Sequence, residues 1–347
     1  MRRRRPTPTI AAAPIRARWS TLVPLVALIA ILSACGDDAE SGAEPEGTRS
    51  PGTAAGAEVV VDELDGPTQF VFDGDELIVA QLNGGENDGT GQVVEIAEDG
   101  SRRILYDNLD KPTGVLVNGT ELWVMERTRL SRGPRDGGTL TVVVDGLPNN
   151  GRSQGTLTLT PDGLVLFNTS GAHRSGVVVE RSGRLWTADE EGDVIEYASG
   201  FKHAYAHVFD GSGALWTTEV SDGRFDGQPP ADEVVAVQQD VDHGWPGCVG
   251  DNRPVAEFGV TDCQDVPGSR AVFDPGATPT GIVVSPFDEE ELLVALWVTG
   301  QVVSVPFDQA VSSRVVYEDL SSPQHLVARD GRLYVSEFGR NRIIVFD

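Results

Sequence analysis

Short apolar runs alternate with tight polar corners along most of this chain, and one phrase of that alternation recurs six times. An apolar strand leads through an acid or aromatic into a bend. A small or proline-containing turn follows, then a second apolar strand, an Asp-Gly or Asn-Gly corner and a third apolar run. The second strands begin near Pro67, Pro112, Gly155, Ala204, Pro279 and Pro323. The third runs include Glu76-Leu77-Ile78-Val79, Glu121-Leu122-Trp123-Val124, Ala214-Leu215-Trp216-Thr217 and Arg332-Leu333-Tyr334-Val335. Most units lie roughly 40–50 residues apart, the period of four-stranded propeller blades. A blade covers both faces of its sheet with neighbouring blades, so its inner strands read as continuous apolar runs. The pattern predicts an all-β, six-bladed β-propeller. Val177-Val178-Val179 followed by Gly183-Arg184-Leu185-Trp186 reads as a crowded extra copy, so seven blades is the alternative. Residues 155–175 are too few for a blade alone.

The two ends of the propeller region complement each other. Val59-Val60-Val61-Asp62-Glu63-Leu64 is an outer strand with no blade before it, and Arg342-Ile343-Ile344-Val345-Phe346 is a third strand with no outer partner after it. Pairing them removes two open sheet edges and closes the ring.

Residues 1–34 read as an address rather than as structure. Arg2 to Arg5, Arg16 and Arg18 form a basic region, and Leu22 to Leu32 an apolar one short for a bilayer span. Leu32-Ser33-Ala34-Cys35 resembles the bacterial lipoprotein cleavage box. The resemblance implies cleavage before Cys35, lipidation of its sulfur and an exported, membrane-anchored protein; an uncleaved signal anchor or a non-lipidated secreted protein is the alternative. Residues 35–57, rich in small and polar groups, predict a flexible tether, leaving 58–347 as the propeller. Without the address the chain keeps 21 basic against 53 acidic groups, a net of −32. Such a charge repels nucleic acid and anionic head groups.

Apart from Cys35, only Cys248 and Cys263 remain, both in a long insertion at about 222–270. An exported compartment permits a disulfide, and two thiols without neighbouring Cys or His make a poor zinc site.

The most specific stretch runs from Gly200-Phe201-Lys202-His203 through Leu215-Trp216-Thr217-Thr218-Glu219 and Pro229-Pro230-Ala231-Asp232-Glu233 to Asp242-His243-Gly244-Trp245-Pro246-Gly247-Cys248. This order resembles the soluble glucose/sorbosone dehydrogenases, six-bladed propellers that use the quinone PQQ and calcium. The likeness is strong over residues 200–248 and weaker over most of the remaining propeller. It implies oxidation of a small sugar by a membrane-tethered enzyme, with Lys202, His203 and Arg340 toward the cofactor and Glu219, Ser221 and Asp222 offering oxygens to calcium. PQQ carries three carboxylates, so cations and N–H groups suit it. Calcium takes carboxylate and carbonyl oxygens.

The chain departs from that family where the chemistry sits. Counting back from Leu157 puts Arg152 near the family's catalytic His, and an arginine stays protonated at neutral pH. Lys202-His203 stands for an Arg-Asn pair, and His243 for a Tyr. Arg340 and Arg342 suit either a grip on cofactor carboxylates or charged protection of an edge strand. The alternative function is therefore a non-catalytic propeller that binds a glycan or a partner protein at its axial face.

Overall fold

Six antiparallel sheets, each with four antiparallel strands, follow one another along the chain and around a ring. The computed structural model describes residues 51–84, 89–174, 177–308 and 312–347. From the axis outward, blade 1 is Pro67–Asp73, Glu76–Gln81, Gly91–Ile96 and Arg102–Leu109. Blade 2 is Gly114–Asn118, Glu121–Met125, Leu130–Pro134 and Thr141–Val144. Blade 3 is Thr158–Leu159, Val165–Thr169, Arg184–Ala188 and Val194–Ser199. Blade 4 is Ala204–Phe209, Leu215–Glu219, Asp232–Val237 and Ser269–Phe273. Blade 5 is Pro279–Val284, Glu291–Leu296, Gln301–Pro306 and Arg314–Glu318. Blade 6 is Pro323–Arg329, Arg332–Glu337 and Arg342–Phe346, completed by Glu58–Val61.

That last pairing is the expected closure, with Glu58 opposite Val345 and Val59 opposite Ile344. The tight corners follow the sequence too: Asp330 and Gly331 both take positive φ (52° and 73°), as a two-residue hairpin turn requires.

Three expectations need adjustment. The seven-blade alternative fails because Val177–Val178 only folds back on His173–Arg174 as a small hairpin, while Arg184–Ala188 is the third strand of blade 3. The stretch at 222–270 is not one insertion. Asp232–Val237 runs through it as a blade strand, because Val234 and Val235 have neighbours on both sides of the sheet, and the excursions lie before and after that strand. Residues 52–56, expected within the tether, join the fold: Gly52–Thr53 pairs in parallel with Arg314–Glu318, and Ala54 is buried against blade 5. Gly52 fits there for want of a side chain, since a Cβ would lie 2.7 Å from the Tyr317 ring. Residues 1–34 and Cys35 lie outside the described residues.

The core is divided among the interfaces between blades. Ile78 and Ala80 pack toward blade 2 with Val115, Leu122 and Val124. Their neighbours Leu77 and Val79 point the other way, toward Ile343 of blade 6. The two-residue period of a strand thus feeds both interfaces at once. Corresponding clusters join blades 2 and 3, 3 and 4, 4 and 5, and 5 and 6. Fully burying one Leu, Ile or Val contributes about 1.5–3 kcal/mol, so the ring is held mainly by this packing.

Near the axis a second, polar ring runs through the same six joints. Thr68 donates to the Pro112 carbonyl (2.9 Å), Thr113 to Gly155 (3.3 Å) and Thr280 to Pro323 (2.7 Å). The Thr156 N–H meets the Tyr205 carbonyl, Thr278 N–H meets Asp232, and Ser336 hydroxyl meets the Thr68 carbonyl. The turns that open each inner strand are therefore tied blade to blade, which fixes the positions of the loops at that end.

Candidate functional site

At the end of the axis where the inner strands begin, loops from all six blades enclose a cavity of about 400 Å³. Its size lies within the range of small-molecule sites. Its wall includes Lys111 and Arg152 on one side, His203 and Tyr205 on another, and Trp297 and Phe338 opposite. Gln324 also lines it and donates to the Tyr205 hydroxyl, a link from blade 6 to blade 4. Trp297 and Phe338 lie with ring centroids 4.9 Å apart and form an aromatic flank. No Asp or Glu lines this cavity among the described residues, although the whole chain carries 53 acids against 27 bases.

Arg152, which the sequence count set near the family's histidine position, lies at the cavity wall. Its Nε donates to Asp222 Oδ2 at 2.6 Å, while its side chain remains 54% exposed. Lys202 lies just outside the cavity wall. Its Nζ donates to Asp222 Oδ1 (3.0 Å) and to the Gly171 carbonyl (3.0 Å) and sits 5.6 Å from the centre of the Trp245 ring. The Lys202 side chain is 11% exposed. Burial alone would raise the Asp222 pKa, but Lys202 and Arg152 outweigh it and hold the carboxyl below its ordinary value.

His203 is buried at the start of the inner strand of blade 4, edge-on to Tyr205 with centroids 5.2 Å apart. Its Nε2 is buried with no hydrogen-bond partner among the described residues. Desolvation lowers its pKa to about 3, so the ring is neutral at pH 7.

Glu219 has a different task from the one expected. It is buried, and its two carboxylate oxygens accept the backbone N–H groups of Lys202 and, at 3.1 Å, His203. It thereby fixes the turn that carries both residues. Burial, with the charge of Glu233 adding to it, pushes its pKa well above the ordinary value of 4.5 despite these donors. Other blades use the same brace. Gln81 accepts the Asp65 N–H, Glu126 the Asp110 N–H and Glu337 the Ser321 N–H. Glu126 and Glu337 each pair with an arginine three residues on, Arg129 and Arg340. In blade 4 that third position is Asp222.

This repeat accounts for Arg340, which was expected to face the cofactor. Its guanidinium is taken by Glu337 (2.7 Å) and the Asp319 carbonyl (3.1 Å), and it does not line the cavity. Arg342 grips the same Glu337. The expected calcium carboxylates are likewise engaged. Both Asp222 oxygens face cations and both Glu219 oxygens face backbone N–H groups, while Ser221 donates its N–H to Asp232 at 2.7 Å, a contact that does not involve its oxygens. Calcium takes six to eight oxygens. No group of three or more His, Cys, Asp or Glu that could hold a metal occurs among the described residues. The Glu219 and Asp222 carboxylates as arranged do not fit a calcium ion. The donors around the cavity do fit a planar polyanion such as PQQ, with two cations, a desolvated imidazole and an aromatic flank.

The excursions before and after Asp232–Val237 pack against each other. Trp245 packs with Phe225, Val249 and Val255, and Cys248 and Cys263 form a disulfide across 15 residues. His243 stacks on Phe201 (4.6 Å) away from the cavity. Lys111, Trp297, Phe338 and Gln324 were not singled out by their sequence context. Their only signal is position, beside a strand that opens or follows an inner turn.

No protein-family model and no curated protein matches the chain. Solved structures do. An oxidoreductase from Thermus thermophilus, described as a glucose dehydrogenase, shares 16% identity, with a TM-score of 0.67 over 83% of this chain and 98% of that one. The PQQ-bound aldose sugar dehydrogenase of Streptomyces coelicolor gives 15% and 0.66 over 83% and 96%. The holo PQQ domain of pyranose dehydrogenase from Coprinopsis cinerea gives 14% and 0.64 over 83% and 94%. The chain has the fold of these sugar dehydrogenases, as the stretch at 200–248 implied.

Proposed function

We propose that the axial cavity binds a planar, multiply anionic quinone of the PQQ type together with a small sugar, and that the protein is a sugar dehydrogenase-like quinoprotein. The observation that carries this reading is the reversal of charge: a strongly acidic chain lines its axial cavity with Lys111 and Arg152 and with no carboxylate among the described residues. Arg152 would meet a ligand carboxylate with its planar fork, and Lys111 would meet another as a point charge. Trp297 and Phe338 offer a flat apolar surface to a ring system. PQQ, when bound, supplies the hydride acceptor for a sugar alcohol. His203 is the imidazole in the cavity wall. Its neutral state is the one that accepts a hydroxyl proton, and a nearby anion raises its proton affinity from the low value that burial imposes.

The test is reconstitution with PQQ followed by the visible spectrum before and after adding aldoses, with an artificial electron acceptor to read turnover. Bleaching of the quinone band on adding sugar supports the reading. Absence of PQQ binding by calorimetry overturns it. A second reading, an axial site that binds an anionic glycan without turnover, is favoured by Arg152 in the place of a histidine base. Binding of acidic sugars without any quinone would select it. We further propose that Cys35 carries a lipid and tethers the exported protein to the membrane, on the strength of the arginine-rich leader and the Leu32-to-Cys35 sequence. Loss of detergent-phase partitioning in Cys35→Ser would support that step, and unchanged partitioning would remove it.

A further inference from the structure

The Lys202 ammonium rests in a socket made for a cation. It has a carbonyl oxygen at 3.0 Å from Gly171, a carboxylate oxygen at 3.0 Å from Asp222 and the face of Trp245 at 5.6 Å. The second Asp222 oxygen faces Arg152 at 2.6 Å, and Arg152 in turn lines the axial cavity. One half-buried carboxylate thus joins two fixed positive charges, one in the wall and one just behind it. The blades with Glu126 and Glu337 show the plainer arrangement, in which an arginine on the same turn neutralises the bracing acid. In blade 4 the acid at that position has recruited its cations from outside its own turn: Lys202 from the preceding strand entry, and Arg152 from the loop before blade 3.

We propose that the Arg152–Asp222–Lys202 triad is a protein-built substitute for a divalent cation at this end of the axis. It supplies from side chains the fixed positive charge that a bound calcium ion would bring, so the cavity takes its anionic ligand without metal. Arg152 is the group that meets the ligand. Asp222 is a positioning residue that aims it, and Lys202 occupies the oxygen that a metal would otherwise claim.

The experiment compares the full chain, Lys202→Met and Asp222→Asn by thermal denaturation in chelator, in calcium and in magnesium at equal ionic strength. Magnesium is the control because any divalent ion screens so acidic a surface. In the full chain and in Asp222→Asn, calcium is expected to shift Tm no more than magnesium does. In Lys202→Met, where the ammonium is gone and its apolar stem kept, calcium is expected to stabilise beyond magnesium. A calcium-specific, chelator-reversible shift in the full chain that Asp222→Asn lacks would overturn the proposal. So would a folded Lys202→Met chain with no calcium response. If Lys202→Met does not fold, the comparison of the full chain with Asp222→Asn decides alone. A parallel calorimetric titration with PQQ should give the same affinity in chelator and in calcium, and metal-dependent affinity overturns the proposal. Only this arm rests on the quinone reading: no PQQ binding in either buffer refutes that reading and leaves the thermal arm to decide the triad.

Discussion

Replacing Arg152 with alanine separates what this residue does for binding from what it does for folding. Its side chain is 54% exposed, and among the described residues its side-chain partner is Asp222, at 2.6 Å. An ion pair so open to water is screened and contributes only about 0–1 kcal/mol to stability. Asp222 is not left bare by the change, because Lys202 still holds its other oxygen at 3.0 Å. Arg152→Ala should therefore lower Tm by no more than a few degrees. Ligand affinity should respond much more. A charge-assisted hydrogen bond to a carboxylate is worth roughly 1.5–3 kcal/mol, which corresponds to about a ten- to hundredfold weaker Kd. Arg152→Lys keeps the charge but not the fork and should fall between. Calorimetry with PQQ, run at low and high salt beside thermal denaturation, reads all of these quantities. A marked loss of stability with unchanged affinity would refute the argument, since it would make Arg152 a structural strut rather than a ligand group.

Further outcomes follow from the same geometry. The folded Glu219 carboxyl sits well above 4.5, so the native state holds a proton that the unfolded chain releases first. Its contribution is then greatest in acid and is lost as pH rises from that value through the folded pKa. Glu219→Gln should flatten this part of the stability–pH curve, as judged by denaturant titration from acid to neutral pH; an unchanged slope would count against the assignment. Reducing the Cys248–Cys263 bond should cost about 3 kcal/mol on the chain-entropy account of its loop and leave the far-ultraviolet sheet signal of the blades intact, and a change well below 1 kcal/mol would contradict that account. Gly155→Ala would bring a Cβ to 1.9 Å from the Tyr205 carbonyl oxygen in the axial ring. It should destabilise by about 3 kcal/mol or more, and a Tm equal to that of the unaltered chain would show that the ring is not rigid there.

Much of the architecture was readable because it depends on repetition. The six inner-strand starts, from Pro67 to Pro323, recur in the sequence, and each blade needs the same apolar runs whatever its neighbours do. Closure was readable from two unpaired strands, Val59 to Val61 and Arg342 to Phe346. The site was harder, because its residues come from single positions on six different turns. Counting from a corner drew notice to Arg152, and the motif to Lys202 and His203; the ring sets Arg152 and His203 in the cavity wall and Lys202 just outside it. Lys111, Trp297 and Phe338 carry no local signal, since only the ring brings them to one cavity. Glu219 and Arg340 were assigned to ion and cofactor on the strength of the family resemblance. The spacing Glu126–Arg129 and Glu337–Arg340 was present in the chain, but its meaning depends on a backbone turn that the acid braces. Asp222 breaks that spacing, and its partners Arg152 and Lys202 lie 70 and 20 residues away.

The clasp between Glu58–Val61 and Arg342–Phe346 joins segments about as far apart as this fold allows. A ribosome makes the first partner long before the second. Until then Val59 to Val61 has no sheet to enter, and five blades must wait with an open flank on either side. Such long-range pairing is slow to form and exposes strand edges meanwhile. Nascent chains of this protein should therefore depend on chaperone shelter most acutely until Arg342–Phe346 has been made.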